Sequence, residues 1–194
     1  MNRTLVIGVG GAGCNLAEEF GRSPGCDVLL VNLSHELTGR AMQPNLCLPA
    51  DSRSGCLPTV LTAEKAAEEV ADRFGDMLKG KQYAVISVGL GGVTGSGAAP
   101  VLARIARSLG VHVTAIATLP FSFEIQRKTV SEAALCKLRN EADALIVHDH
   151  ATASSSRAFS NGSLEDYFCW VAKELSQRLG GCASPRNGLP GTDQ

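Results

Sequence analysis

Short, continuously apolar runs rich in β-branched residues alternate with stretches of helical period along most of this chain. The runs at residues 4–9, 27–32, 83–88, 111–118 and 144–147 read as strands. Apolar on successive positions, they suit strands covered on both faces, as in a parallel sheet. Between them, residues 14–22, 63–79, 96–109 and 123–141 read as helices, with Pro100 in the first turn or so of the third. This order predicts a three-layer, Rossmann-like α/β fold: a mostly parallel sheet with helices on both faces and right-handed crossovers.

Two stretches break the alternation. Residues 33–62 carry three prolines, two glycines and no clean period. A connection of that length is usually functional or mobile. Residues 180–194 have the composition of a disordered tail, so the expected domain spans 1–179. Before the tail, Leu164, Phe168, Val171, Leu175 and Leu179 recur at helical spacing on one face of residues 163–179. Trp170 lies off that stripe, toward the polar side. It is read either as an aromatic flank of a surface helix or as an interface anchor.

The chain has 194 residues, 44% hydrophobic and 19% charged, which fits one ordinary globular domain. Its 18 Lys and Arg against 19 Asp and Glu leave no electrostatic footprint for nucleic acid. No apolar stretch approaches membrane-spanning length, and none at the start reads as a signal peptide. Seven cysteines without a C-x-x-C pair fit reduced thiols in the cytoplasm. Cys14 and Cys136 fall in apolar helical patterns, where a thiol behaves as a small hydrophobe.

The glycines carry the chemistry. Strand 4–9 runs into Gly8-Val9-Gly10-Gly11-Ala12-Gly13-Cys14-Asn15, and strand 83–88 into Gly89-Leu90-Gly91-Gly92-Val93-Thr94-Gly95-Ser96-Gly97. A strand–glycine–helix junction offers backbone N–H groups and a positive helix end to an anion. Two such junctions on one edge of a sheet suit a di- or triphosphate. Hydroxyls at Thr94 and Ser96 add bonds to phosphate or to magnesium-bound water. Gly8, Gly10 and Gly13 also match G-x-G-x-x-G, but the ribose-binding acid expected after the second strand is missing. Val31 is followed there by Asn32, Leu33 and Ser34, with Glu36 late. No G-x-x-x-x-G-K-[ST] occurs. His148 and His150 share a side of the last strand and read as ordinary strand-end histidines, since no third metal ligand accompanies them.

At these residues the chain resembles the tubulin/FtsZ superfamily, and bacterial FtsZ most closely. Gly91-Gly92-Val93-Thr94-Gly95-Ser96-Gly97 is similar to the signature GGGTGTG, and Ile7 to Asn15 to the first phosphate loop. Thr118-Leu119-Pro120-Phe121-Ser122-Phe123-Glu124 resembles TKPFxFEG, and Ser163 to Phe168 the entry to the central helix. The resemblance implies GTP or GDP, with magnesium, and head-to-tail self-association. By position, Gly10, Gly11, Ala12, Gly13, Cys14 and Asn15 would face phosphates and nucleoside. Gly91, Gly92, Val93, Thr94, Gly95 and Ser96 would cradle phosphates. Pro120, Glu124 and Lys128 would border the ribose, and Phe168 the guanine.

The departures shape the functional expectation. The resemblance runs only to just past the central helix, so the expectation is a protein without the family's second domain and its catalytic carboxylate loop. Residues 51–56 replace a Gly-, Ala- and Asn-rich γ-phosphate loop. Lys128 stands where the family has a ribose-contacting Arg, with Arg127 one residue earlier. Val147-His148-Asp149-His150 stands for IPND, and Lys173 or a neighbour for a guanine-contacting Asp. The expectation is a nucleotide-binding partner or regulator of tubulin-like filaments in cell division, with little or no GTPase activity alone. The alternatives are a GTPase completed in trans by a full-length relative, a nucleotide-free interaction module and, more distantly, a dinucleotide oxidoreductase.

Overall fold

The computed structural model describes residues 3–20, 26–33, 44–49, 57–150, 170, 171 and 173. Phe168, the 51–56 segment, most of the 163–179 helix and the 180–194 tail lie outside the described residues. In chain order the elements are β1 (Thr4–Val9), α1 (Gly10–Phe20), β2 (Cys26–Leu33), β3 (Asn45–Leu48), α2 (Val60–Glu69), α3 (Ala71–Leu78), β4 (Tyr83–Gly89), α4 (Val93–Ser108), β5 (His112–Leu119), α5 (Ile125–Glu141) and β6 (Ala144–Asp149).

The strands form one sheet in the order β3-β2-β1-β4-β5-β6, and every pairing is parallel. Successive side chains of β1 point to opposite faces, which makes the domain three-layered. Leu5, Ile7 and Val9 enter a core shared with α2, α3, α4 and α5, where Phe74, Leu102 and Leu138 are fully buried. Val6 points the other way, into a smaller cluster with Cys14, Leu16, Ala17 and Phe20 of α1 and with Val171. The expected α/β architecture with helices on both faces is what the chain forms.

Several local expectations are corrected. The first helix begins at Gly10 rather than residue 14, because close packing of the glycines outweighs their poor helix propensity. The expected helix 63–79 is two helices, broken at Val70 (φ −99°, ψ 9°), and the first opens with a capping box between Thr59 and Thr62. Residues 45–48, inside the stretch without a period, form the edge strand β3 between Pro44 and Pro49. Since α4 begins at Val93, Pro100 lies in its interior, and no N–H at position 100 is available to the carbonyl of Ser96. Cys136 is exposed, because the buried stripe of α5 runs through Ser131, Ala134 and Leu138 and leaves it to one side. Trp170 is half-buried against the α1-side cluster rather than facing solvent, with its ring edge-on to His148 at 6.3 Å. Lys173 is exposed.

Candidate functional site

The chain leaves β1 toward β2 on one side, and its later crossover brings β4 to the other side of β1. Ligands of open α/β sheets bind at the carboxyl ends of the strands flanking such a reversal. Register keeps those ends level, with Val9 opposite Val31 on one side and Val88 on the other. Helix α1 starts at once after β1, and α4 starts after the turn Leu90-Gly91-Gly92 that follows β4. Two helix N-termini, from opposite layers, therefore converge on one edge.

Glycine makes that convergence possible. A methyl group on Gly13 would stand 2.3 Å from the Ser87 carbonyl oxygen, and one on Gly95 2.6 Å from the Gly89 carbonyl oxygen. A side chain at either position would push its helix off β4. Ser87 completes the junction: its hydroxyl donates to the Gly13 carbonyl at 2.9 Å, tying α1 to β4. The signal for this residue was the one serine within the apolar run 83–88, which sequence reasoning passed over. Cys14, buried under the first loop, directs its thiol at the Gly8 carbonyl 3.4 Å away.

Gly11 and Gly92 are different. A methyl group on either would meet nothing within 4 Å, so both border open space. Gly11, Ala12 and Asn15 are exposed, and Gly92 and Val93 half-buried. The first-turn N–H groups of a helix have no partner within it. At this edge two sets of them lie beside glycines without side chains, the form that a cradle for phosphate oxygens requires. Thr94 is nearly buried, and Ser96 wholly so. The Ser96 hydroxyl accepts the Gly91 N–H at 2.8 Å, so it serves the loop itself.

The segment after β5 forms the neighbouring wall. Leu90 donates its N–H to the Thr118 carbonyl at 2.9 Å, which fastens the second loop to the end of β5. Pro120 is half-buried there. The Glu124 carboxylate accepts the Phe121 N–H at 3.0 Å and pairs with Arg127 at 2.8 Å. Gly91 (φ +99°) packs against Arg127, whose Cβ would lie 2.8 Å from an added methyl group. Arg127 thus backs the second loop, while Lys128 is exposed on α5.

His148 is the penultimate residue of strand β6, and His150 lies just beyond its end. Both are buried, with rings edge-on at 5.2 Å. His150 stacks on Phe121 at 4.8 Å, and Phe121 on the exposed Phe123 at 5.3 Å. Burial, reinforced by the neighbouring His148, lowers the His150 pKa to about 4 against the pull of Asp149 and Glu124. His150 is therefore neutral near pH 7. Among the described residues no cluster of three or more His, Cys, Asp or Glu could hold a metal ion. None of the described helices is long and apolar enough to cross a membrane.

Comparison with known proteins agrees with this geometry. The family model described as "Tubulin/FtsZ family, GTPase domain" matches residues 49–154. The cell division protein FtsZ of Aquifex aeolicus is 34% identical over 189 residues, covering 92% of this chain and 50% of that protein. The cell division protein FtsZ 1 of Pyrococcus furiosus is 36% identical over 160 residues, covering 75% of this chain and 41% of that protein. The solved structure described as "FtsZ dimer, empty", from M. jannaschii, superposes with a TM-score of 0.80 at 25% identity, over 100% of this chain and 58% of that one. The chain spans about half the length of the curated relatives it matches.

Proposed function

Because this chain belongs to the tubulin/FtsZ GTPase-domain family, we propose that it binds GTP or GDP across the junction of α1 and α4 and serves as a nucleotide-bound partner of FtsZ-type filaments in the cytoplasm. The observation that carries the phosphate part of this reading is the pair of open glycines, Gly11 and Gly92, at two converging helix N-termini. Hydrogen bonds to charged groups contribute about 1.5–3 kcal/mol each, so a few such amides suffice to hold a diphosphate. The choice of guanine rests on the family alone.

Magnesium would be held chiefly by phosphate oxygens and water, and Thr94 would be the hydroxyl of the second loop to add a bond, since that of Ser96 accepts the Gly91 N–H. Among the described residues the edge offers binding groups rather than a free acid. Glu124 is engaged by Arg127 and by the Phe121 amide.

Co-sedimentation tests the partner role. Full-length FtsZ is polymerised with GTP and pelleted with and without this protein. The reading expects the protein in the pellet only when nucleotide is present, with a change in polymer mass. A protein that stays in the supernatant and leaves polymer mass unaltered overturns it.

A further inference from the structure

We propose that Ser96 is a positioning residue of the second glycine loop, fixing which backbone N–H groups face an anion without touching that anion itself. The proposal rests on the reading that this edge holds nucleotide phosphates.

Ser96 grips the loop at two successive residues. Its backbone N–H donates to the Gly92 carbonyl at 3.1 Å, and its hydroxyl accepts the Gly91 N–H at 2.8 Å. The side chain is wholly buried, so the hydroxyl is sealed from any ligand on the open side. Gly91 needs such a hold. Its φ of +99° lies in the left-handed region, and Arg127 closes the space behind it. On the preceding side, Leu90 is tied to the Thr118 carbonyl.

The amides of Leu90 and Gly91 are thereby both committed within the protein. Those of the first turn of α4, from Val93 onward, are the ones left for phosphate. With the Gly91 N–H fixed inward, the open face of Gly92 is aimed in one direction before a ligand arrives. Removing the hydroxyl leaves a half-buried donor without its partner and frees the turn. Affinity then falls because the loop must be ordered at binding.

The test compares the wild-type chain with Ser96→Ala, Ser96→Cys and Ser96→Thr. Two quantities are read: hydrogen exchange of the Gly91 amide in nucleotide-free protein, and affinity for GDP. Ser96→Ala is expected to speed Gly91 exchange and weaken GDP binding, each by roughly 10-fold, while amides deeper in α4 keep their protection. Ser96→Cys keeps the volume but accepts poorly, so it gives the same result should the alanine variant fail to fold. Ser96→Thr, which retains the hydroxyl, restores both. Unchanged Gly91 exchange and unchanged affinity in the folded alanine or cysteine variant overturn the proposal. If wild-type protein binds no GDP while Gly91 exchange responds as stated, the nucleotide reading fails and the hold of Ser96 on the loop stands.

Discussion

Gly10 and Gly95 meet where the two helix N-termini converge: a methyl group on Gly10 would stand 3.2 Å from the Gly95 backbone nitrogen. The first glycine loop thus rests on the second, although 85 residues separate them in sequence. This contact brings the first turns of α1 and α4, from opposite faces of the sheet, to one place on its edge.

Glycine substitutions should separate folding from binding. Gly13→Ala drives a methyl group into the Ser87 carbonyl and is expected to cost about 1–3 kcal/mol, as overpacking does. Gly11→Ala meets open space and is expected to leave stability within about 0.5 kcal/mol or raise it slightly. It should weaken nucleotide binding by roughly 10-fold, the loss of about one charge-assisted bond. Urea unfolding beside nucleotide titration distinguishes the two classes. Equal destabilisation by both substitutions would contradict the assignment of Gly11 to the open side.

Acid should weaken the fold through His150. Its folded pKa of about 4 lies below the ordinary 6.5, so between those values the unfolded chain takes up a proton that the folded chain refuses. The stabilisation is complete above pH 6.5 and is lost as pH falls toward 4. His148, Asp149 and Glu124 surround the ring, and Phe121 stacks on it. His150→Phe keeps a planar ring on Phe121 and removes the titration. Urea midpoints at pH 7 and pH 5 should therefore fall further in the wild-type chain than in the variant, and equal losses would speak against this origin.

Trp170 reports on the same cluster, because it is the sole tryptophan. Its ring stands edge-on to His148 and is partly covered by the α1-side core. His148→Ala is expected to shift its emission to longer wavelength as water gains access. An unshifted spectrum would place the tryptophan away from the strand end.

The core should respond in the usual way. Phe74 of α3 is completely buried among residues of α4 and the sheet, and Phe74→Ala is expected to cost about 3–5 kcal/mol. Denaturant unfolding monitored by circular dichroism measures it. A loss under 1 kcal/mol would mean that α3 is not seated on the core.

Much of the fold was legible because parallel strands are apolar on both faces. Strand β1 was read to the residue, and the other long strands were found to within two residues of each end. Strand β3 was not, since four residues between prolines at a sheet edge carry too little pattern. The break at Val70 escaped because the apolar positions of α2 and α3 stay nearly in phase across it. In the candidate site, glycine spacing marked both loops but could not tell packing glycines from open ones. Gly13 and Gly11 look alike in sequence, and only the strand behind Gly13 separates them. That the Ser96 hydroxyl accepts the Gly91 N–H was not legible, because a hydroxyl's direction is not written in its neighbours. Trp170 was placed on a polar face by helical phase alone, whereas the ring of His148 draws it toward the sheet.

The central claim is that the converging glycine loops hold a guanine nucleotide. Calorimetry with GTP, GDP, ATP and NAD, each with and without magnesium, tests it most directly. The account predicts saturable binding of GTP or GDP in preference to ATP and NAD. Absence of binding by all four, or a preference for NAD, would contradict it.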